Sequence, residues 1–218
     1  HGSDRNDAIR RMREALNGFV IRGVSSNIPF QSALLAHPKF VAGDFNTGFI
    51  AEHYAHGFRA EDVPHDDPGL LQALAAHLHM AYRDRATGLQ GQFWEANPQP
   101  VRRDFTVCVL GEGGRHAYTD CTVGEPEPGG PATVVLRQPG GDRTYVLHVD
   151  KALGDARVTG TVNGQPFTAQ MERGAARNPL AIRVVHNGTQ ADVIVMHPRT
   201  AELHRLMPYK APPDMSKY

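Results

Sequence analysis

The chain has few cysteines, no excess of charge of either sign and no long apolar run. Its 218 residues include 2 cysteines, and 23 basic side chains balance 23 acidic ones, so that the formal net charge is zero. Binding to nucleic acid or to anionic membranes usually depends on an excess of positive charge, and the balance argues against both. Every apolar run is also too short to cross a bilayer. The sequence is therefore typical of a folded domain that contacts other proteins or small molecules.

The two cysteines lie in adjacent predicted strands. Cys108 and Cys121 could therefore pair, but one bridge would be a sparse framework for a secreted protein of this size. Two buried free thiols in a reducing compartment are the favoured interpretation. There is no signal peptide or transit peptide pattern at the start of the sequence.

Motifs for catalysis and for cofactor binding are also lacking. The glycines from Gly111 to Gly114 precede a predicted strand, whereas a phosphate loop needs the N-terminus of a helix. His77 and His79 are two residues apart on a predicted helix and point to different sides, which does not suit a shared metal ion. No serine or cysteine lies on a recognisable nucleophile turn. We therefore predict no catalytic, cofactor-binding or metal-binding residue.

One predicted helix organises the rest of the chain. Asp67 before Pro68 is a helix-start signal, because aspartate caps free amide groups and proline fits the first turn. From Leu70 to Tyr82, apolar residues occupy nearly every direction around the helix axis. Such a helix is stable only when it is enclosed, and its length and polar interruptions exclude a bilayer. The enclosing material must be protein.

The sequence after this helix consists of short strands and turns. Two Asn-Gly pairs, Asn163-Gly164 and Asn187-Gly188, are strong signals for tight antiparallel hairpins. Without crossover helices, the strands predict an antiparallel meander that closes into a barrel. The predicted fold is α+β, a long buried helix wrapped by a barrel of about eight strands. These strands are Arg103–Leu110, His116–Val123, Thr133–Arg137, Thr144–Lys151, Arg157–Val162, Gln165–Glu172, Leu180–His186 and Gln190–His197.

The first fifty residues predict helices with more apolar surface than they can cover themselves. Helices are expected over Asp4–Asn17 and Pro29–Ala36, with an extended run at Val20–Val24 between them and a cap at Thr47. Twenty residues, at about a dozen spaced positions, resemble the C-terminal end of the biotin carboxylase domain of biotin-dependent acyl-CoA carboxylases. They are Ala8-Ile9, Met12, Ala15-Leu16, Ile21, Gly23-Val24, Asn27–Phe30, Leu35, His37-Pro38, Phe40, Gly43, Thr47 and Phe49-Ile50. We interpret this region as a short remnant of a preceding domain.

The end of the chain carries a second resemblance. A short helix is expected over Thr200–Met207, and Leu206-Met207-Pro208, Pro213-Asp214 and Ser216-Lys217 resemble the segment before the biotin carrier domain in propionyl-CoA carboxylase α-subunits. In that family, a helix inside an eight-stranded barrel joins the α-subunit to the carboxyltransferase β-subunit. The resemblance implies a division into 1–53, the end of the biotin carboxylase domain; 54–66, a linker; 67–207, the linking domain; and 208–218, a linker toward a biotin carrier domain.

The resemblance implies a linking function without catalysis in this segment. Biotin, ATP and Mg or Mn would serve the full-length enzyme, a hetero-oligomer that is cytoplasmic in bacteria or mitochondrial in eukaryotes. No lysine stands between two methionines, as a biotin-bearing lysine would. The alternative is a small-ligand barrel that resembles a lipocalin, and the position of the helix decides between them: inside the barrel, it leaves no room for a ligand.

A polar loop with large apolar residues is the predicted subunit interface. Leu89, Gln92, Phe93 and the single tryptophan, Trp94, lie between glycines and prolines where no helix or strand pattern requires them. The aromatic pair would either close the mouth of the barrel or anchor another subunit, because buried tryptophans supply much of the energy at interfaces. The resemblance favours the anchor.

Overall fold

A computed structural model describes residues 1–58, 65–89, 101–125, 130–150, 154–174 and 178–209. Four helices form the N-terminal region: α1 (Arg5–Gly18), α2 (Ile28–Ala36), α3 (Pro38–Ala42) and α4 (Phe49–His53). Asp4 caps α1 by accepting a hydrogen bond from the N–H of Asp7 at 2.9 Å. The run Val20–Val24 was expected to be extended, but it lies outside any strand, and most of it is exposed.

Helix α3 was not predicted, because His37-Pro38 was interpreted only as the end of α2. The same residues also begin the next helix. The imidazole of His37 accepts a hydrogen bond from the N–H of Lys39 at 3.3 Å, and Pro38 occupies the first helical position. Gly43 then ends α3 with a φ of 77°, in the left-handed region that favours glycine.

The central helix α5 spans Pro68–Thr87 and begins at the predicted cap. Oδ1 of Asp67 accepts hydrogen bonds from the N–H of Leu70 at 3.3 Å and from the hydroxyl of Tyr145 at 2.8 Å. Oδ2 accepts a hydrogen bond from Nη2 of Arg143 at 3.0 Å. One carboxylate therefore both caps the helix and attaches it to the sheet.

Eight strands form one closed antiparallel barrel in chain order, and β1 pairs with β8 to complete it. Each observed boundary lies within one residue of its prediction. Both Asn-Gly turns have the expected positive φ, with Asn163 at 49° and Asn187 at 50°. The strands are β1 (Asp104–Val109), β2 (Ala117–Val123), β3 (Ala132–Leu136), β4 (Arg143–Asp150), β5 (Arg157–Val162), β6 (Gln165–Arg173), β7 (Ala181–His186) and β8 (Thr189–Met196).

Helix α5 lies inside the barrel, which confirms the predicted fold class. Ala73, Leu74, Ala75 and Ala76 are fully buried, and they belong to one core cluster with inward-facing residues from every strand. Among the described residues, the helix fills the interior with its own side chains. The lipocalin-like alternative is therefore wrong, because it required that space for a ligand.

Two regions pack on the outside of the barrel. Helix α1 lies against β6 and the β7–β8 turn, where Asn17 and Asn187 exchange hydrogen bonds of 2.9 and 2.8 Å. A last helix, α6 (Pro198–Arg205), begins two residues earlier than predicted and packs on β1. The N-terminal region is thus attached to the barrel by specific polar contacts.

Candidate functional site

Helix α6 covers a second, smaller apolar cluster on the outer face of the barrel. The cluster contains Cys108 of β1, Ile194 and Met196 of β8, Ala181 of β7 and Ala201 of α6. Cys121 belongs instead to the core inside the barrel. The sheet separates the two sulfur atoms, and both cysteines are free, as predicted. Burial raises the pKa of both thiols, that of Cys121 to about 12, so neither resembles an activated nucleophile.

A cleft of about 650 Å³ opens at the end of the barrel where α5 terminates. We call it the α6 cleft. Its walls are mostly apolar, and large apolar side chains at its rim face solvent: Leu180 is 69% exposed and Leu203 is 61% exposed. The lining residues come from the last turns of α5, the end of β6, the start of β7, the end of β8 and α6. They are His79, Tyr82, Arg83, Ala86, Arg173, Asn178, Leu180, Ile182, Ile194, Val195, Met196, Thr200, Leu203, His204 and Met207.

Two arginines lie in this cleft over aromatic rings. The guanidinium carbon of Arg173 is 4.3 Å from the centre of the Tyr82 ring, and that of Arg83 is 5.5 Å from the centre of the Phe105 ring. Within the described part of the chain, no carboxylate lies within 4.0 Å of either guanidinium. The nearby Arg183, in contrast, makes a two-pronged ion pair with Asp192, with its Nε at 2.7 Å from Oδ1.

His79 lies between these two arginines. Burial and, after it, the positive charges of Arg83 and Arg173 lower the pKa of His79 to about 4. The imidazole packs edge-on against Phe105, with 5.1 Å between the ring centres. His79 is therefore neutral at pH 7, and the positive charge of the cleft belongs to the two arginines.

Only one of the four predicted interface residues lies within the described residues. Leu89 follows the end of α5, where its N–H donates to the carbonyl of Ala86 at 3.4 Å, and its side chain is 55% exposed. Since Ala86 lines the α6 cleft, Leu89 lies one helical turn beyond it. Gln92, Phe93 and Trp94 lie outside the described residues, and their assignment stays a prediction.

A pair of histidines connects the start of α5 with the end of β7. Nδ1 of His65 accepts a hydrogen bond from the N–H of Asp67 at 2.9 Å, so the proton of the neutral ring is on Nε2. That nitrogen donates to Nδ1 of His186 at 2.9 Å. Burial, followed by the neighbouring His65 and Arg13, lowers the pKa of His186 to about 4. This pair has a structural function in the neutral state.

Among the described residues, no group of three or more His, Cys, Asp and Glu side chains is arranged to hold a metal ion. No helix in the same part of the chain is long and apolar enough to span a membrane.

The cleft could not be predicted from the sequence, because its walls come from distant parts of the chain. Arg83 lies 90 residues before Arg173, and only closure of the barrel brings them together. Leu180 and Leu206-Met207 gave no separate signal, because they fall in a predicted strand and a predicted helix, where apolar residues are expected.

Two family models match separate parts of the chain. The propionyl-coenzyme A carboxylase BT domain matches residues 71–210, and the biotin carboxylase C-terminal domain matches residues 1–52. The propionyl-CoA carboxylase alpha chain of Ruegeria pomeroyi is 33% identical over 96% of this chain and 29% of its own length. The mitochondrial propionyl-CoA carboxylase alpha chain of Mus musculus is 29% identical over 99% of this chain and 28% of its own length.

A third relative is similar only at the N-terminal region. Biotin carboxylase 1 of Bacillus subtilis is 46% identical over 26% of this chain and 13% of its own length. The chain thus spans less than a third of the length of the propionyl-CoA carboxylase alpha chains that it matches.

Proposed function

This chain belongs to the propionyl-coenzyme A carboxylase BT domain family, and from that premise we propose that it is the linking region of a biotin-dependent acyl-CoA carboxylase α chain. Its role is to bind the carboxyltransferase β-subunit. In this proposal, residues 1–53 end the biotin carboxylase domain, 54–66 are a linker, 67–207 are the linking domain and 208–218 lead toward a biotin carrier domain. The enzyme is a hetero-oligomer in the bacterial cytoplasm or in the mitochondrial matrix.

The observation that carries the proposal is the barrel filled by its own helix. Barrels that bind small ligands keep their interior open, whereas here Leu74 and its neighbours occupy the axis. A fold without an internal binding space offers only its outer surface for recognition. The largely apolar end of the barrel, where Leu89 leaves α5 with more than half of its side chain exposed, suits a protein partner.

The chemical steps are assigned to other parts of the enzyme. Biotin, ATP and Mg or Mn would act in the full-length protein, and no residue of this segment is assigned to any of them. The segment contributes by tethering. A biotin arm held near two active sites transfers its carboxyl group intramolecularly, at a high effective concentration.

We assign the main anchor for the β-subunit to the loop that begins at Leu89 and includes Gln92, Phe93 and Trp94. Two adjacent aromatic residues in a polar loop fit the pattern of interface hot spots, which are enriched in tryptophan. The competing role is closure of the barrel mouth. The two roles differ in one measurable way, because an anchor affects binding and a plug affects folding.

The test is the affinity of the α chain for the β-subunit, measured by isothermal titration calorimetry together with the melting temperature of each variant. Loss of a buried aromatic anchor in Trp94→Ala should weaken binding about thirtyfold, from a cost of about 2 kcal/mol. The melting temperature should stay unchanged. Val24→Ala is the matched control, because Val24 is an exposed apolar residue in the N-terminal region.

Two results would count against the proposal. If the wild-type α chain does not bind the β-subunit, the linking function is wrong. If Trp94→Ala lowers the melting temperature and leaves the affinity unchanged, Trp94 is a structural plug and the anchor assignment fails. A separate assay addresses catalysis: the 218-residue chain should show no biotin-dependent ATP hydrolysis with bicarbonate and magnesium.

A further inference from the structure

We propose that the α6 cleft is a second docking site on the same partner, and that it binds a segment of the β-subunit with an apolar side chain flanked by carboxylates. This inference rests on the proposed function and adds a site formed by Arg83, Arg173, Leu180, Leu203 and Met207. None of these five residues belongs to the loop that begins at Leu89.

The apolar part of the site is open to solvent where a folded chain would normally bury it. Leu180, Leu203 and Met207 line the cleft, and each exposes more than 60% of its surface. Single exposed apolar residues are common, but three around one concavity of about 650 Å³ form a continuous surface. A partner side chain inserted there would remove this apolar surface from water, which favours binding.

The charged part of the site identifies the chemistry of the occupant. Arg83 and Arg173 are held over aromatic rings, and within the described residues neither has a carboxylate within 4.0 Å. Among the residues that the structure describes, no aspartate or glutamate lines the cleft. A guanidinium that is already oriented by an aromatic ring loses little further freedom when it binds, and it pairs best with a carboxylate. The cleft is therefore complementary to an acidic segment.

Arg183 provides an internal comparison. It lies on β7, the strand that also contributes Ile182 to the cleft, and its guanidinium is neutralised by Asp192 on β8. The fold thus pairs one arginine of this region internally, whereas the two in the cleft have no carboxylate partner among the described residues. A segment of a protein suits the site better than a small fatty acid does, because the exposed leucines stand at the rim rather than in an enclosed tunnel.

The experiment compares three variants of the α chain in calorimetric titrations with the β-subunit at low and at high salt. The double variant Arg83→Gln/Arg173→Gln removes the charges, Leu203→Ser removes part of the apolar rim, and Lys39→Gln removes one positive charge from the exposed surface of α3. We expect at least about fivefold weaker binding for the first two and no change for Lys39→Gln. The double variant should also lose most of the salt dependence of the wild type.

Melting curves of the free variants keep the test independent of folding. Because Leu203 is largely exposed, Leu203→Ser should have the melting temperature of the wild type even if the arginine variant is less stable. Wild-type affinity and salt dependence in both cleft variants would overturn this inference and leave the proposed function intact. Failure of the wild type to bind would overturn both.

Two other occupants would also overturn the inference. Sedimentation equilibrium of the free α chain would reveal a second copy as the occupant, if it shows a dimer that Leu203→Ser dissociates. Titration with decanoate would reveal a fatty carboxylate, if it binds the wild type and not the arginine variant. The proposal requires that the α chain neither dimerises through the cleft nor binds decanoate there.

Discussion

Replacement of Asp67 by alanine tests how the central helix is attached to the barrel. The carboxylate of Asp67 caps α5 at the N–H of Leu70 and accepts a hydrogen bond from Tyr145, which is 1% exposed. Loss of an N-cap costs about 1 kcal/mol. A buried hydroxyl left without a partner costs about 1 to 3 kcal/mol more. The contact with the half-exposed Arg143 adds little, because solvent screens it.

The expected total for Asp67→Ala is therefore about 2 to 4 kcal/mol of unfolding free energy, or a fall in melting temperature of roughly 5 to 15 °C. Tyr145→Phe removes only the hydroxyl and should cost about 1 kcal/mol. In the double variant, no hydroxyl is left unsatisfied. The double variant should therefore lose less unfolding free energy than the sum of the two single variants, and the difference should be about 1 to 2 kcal/mol.

Urea denaturation of the wild type, both single variants and the double variant measures this cycle. Asp66→Ala is the matched control, because Asp66 is the neighbouring carboxylate and its one ion pair among the described residues is with Arg13. Additive losses would contradict the shared hydrogen bond. A loss below about 0.5 kcal/mol for Asp67→Ala would refute the capping function as well.

Two further predictions concern the same end of the barrel. Gly69→Ala should destabilise the protein, because the new Cβ would lie 2.2 Å from the hydroxyl of Tyr145. In an open helix, the same change would be favourable by about 1 kcal/mol. A melting temperature above that of the wild type would contradict this prediction. Stability should also fall as the pH drops from 6.5 toward 4. His186 has a pKa of about 4 when folded, so the unfolded chain binds this proton first, and the loss is at most about 1.4 kcal/mol per pH unit. His186→Gln should reduce this pH dependence of the melting temperature without abolishing it, because His79 also has a folded pKa of about 4. An unchanged pH dependence in this variant would contradict the prediction.

The sequence alone determined the elements of this fold, because their signals are local. The apolar residues around α5 predicted an enclosed helix, and Asp67-Pro68 marked its first turn. Period-two alternation and the Asn-Gly turns located every strand to within one residue, since each turn needs two positive φ values that few other residue pairs supply. The resemblances at both ends of the chain predicted the family, and the family model that matches residues 71–210 confirms it.

Tertiary structure decided what depends on closure of the barrel. Cys108 and Cys121 are near in sequence, yet the alternation of side chains across the sheet directs one outward and the other inward. His37-Pro38 ends one helix and begins another, which propensity alone does not distinguish from a simple stop. The α6 cleft joins Arg83 to Arg173 and to Leu203, which lie 90 and 120 residues later in the chain. Such a site has no local signal, because the distance between its parts is set by strand pairing and not by sequence separation.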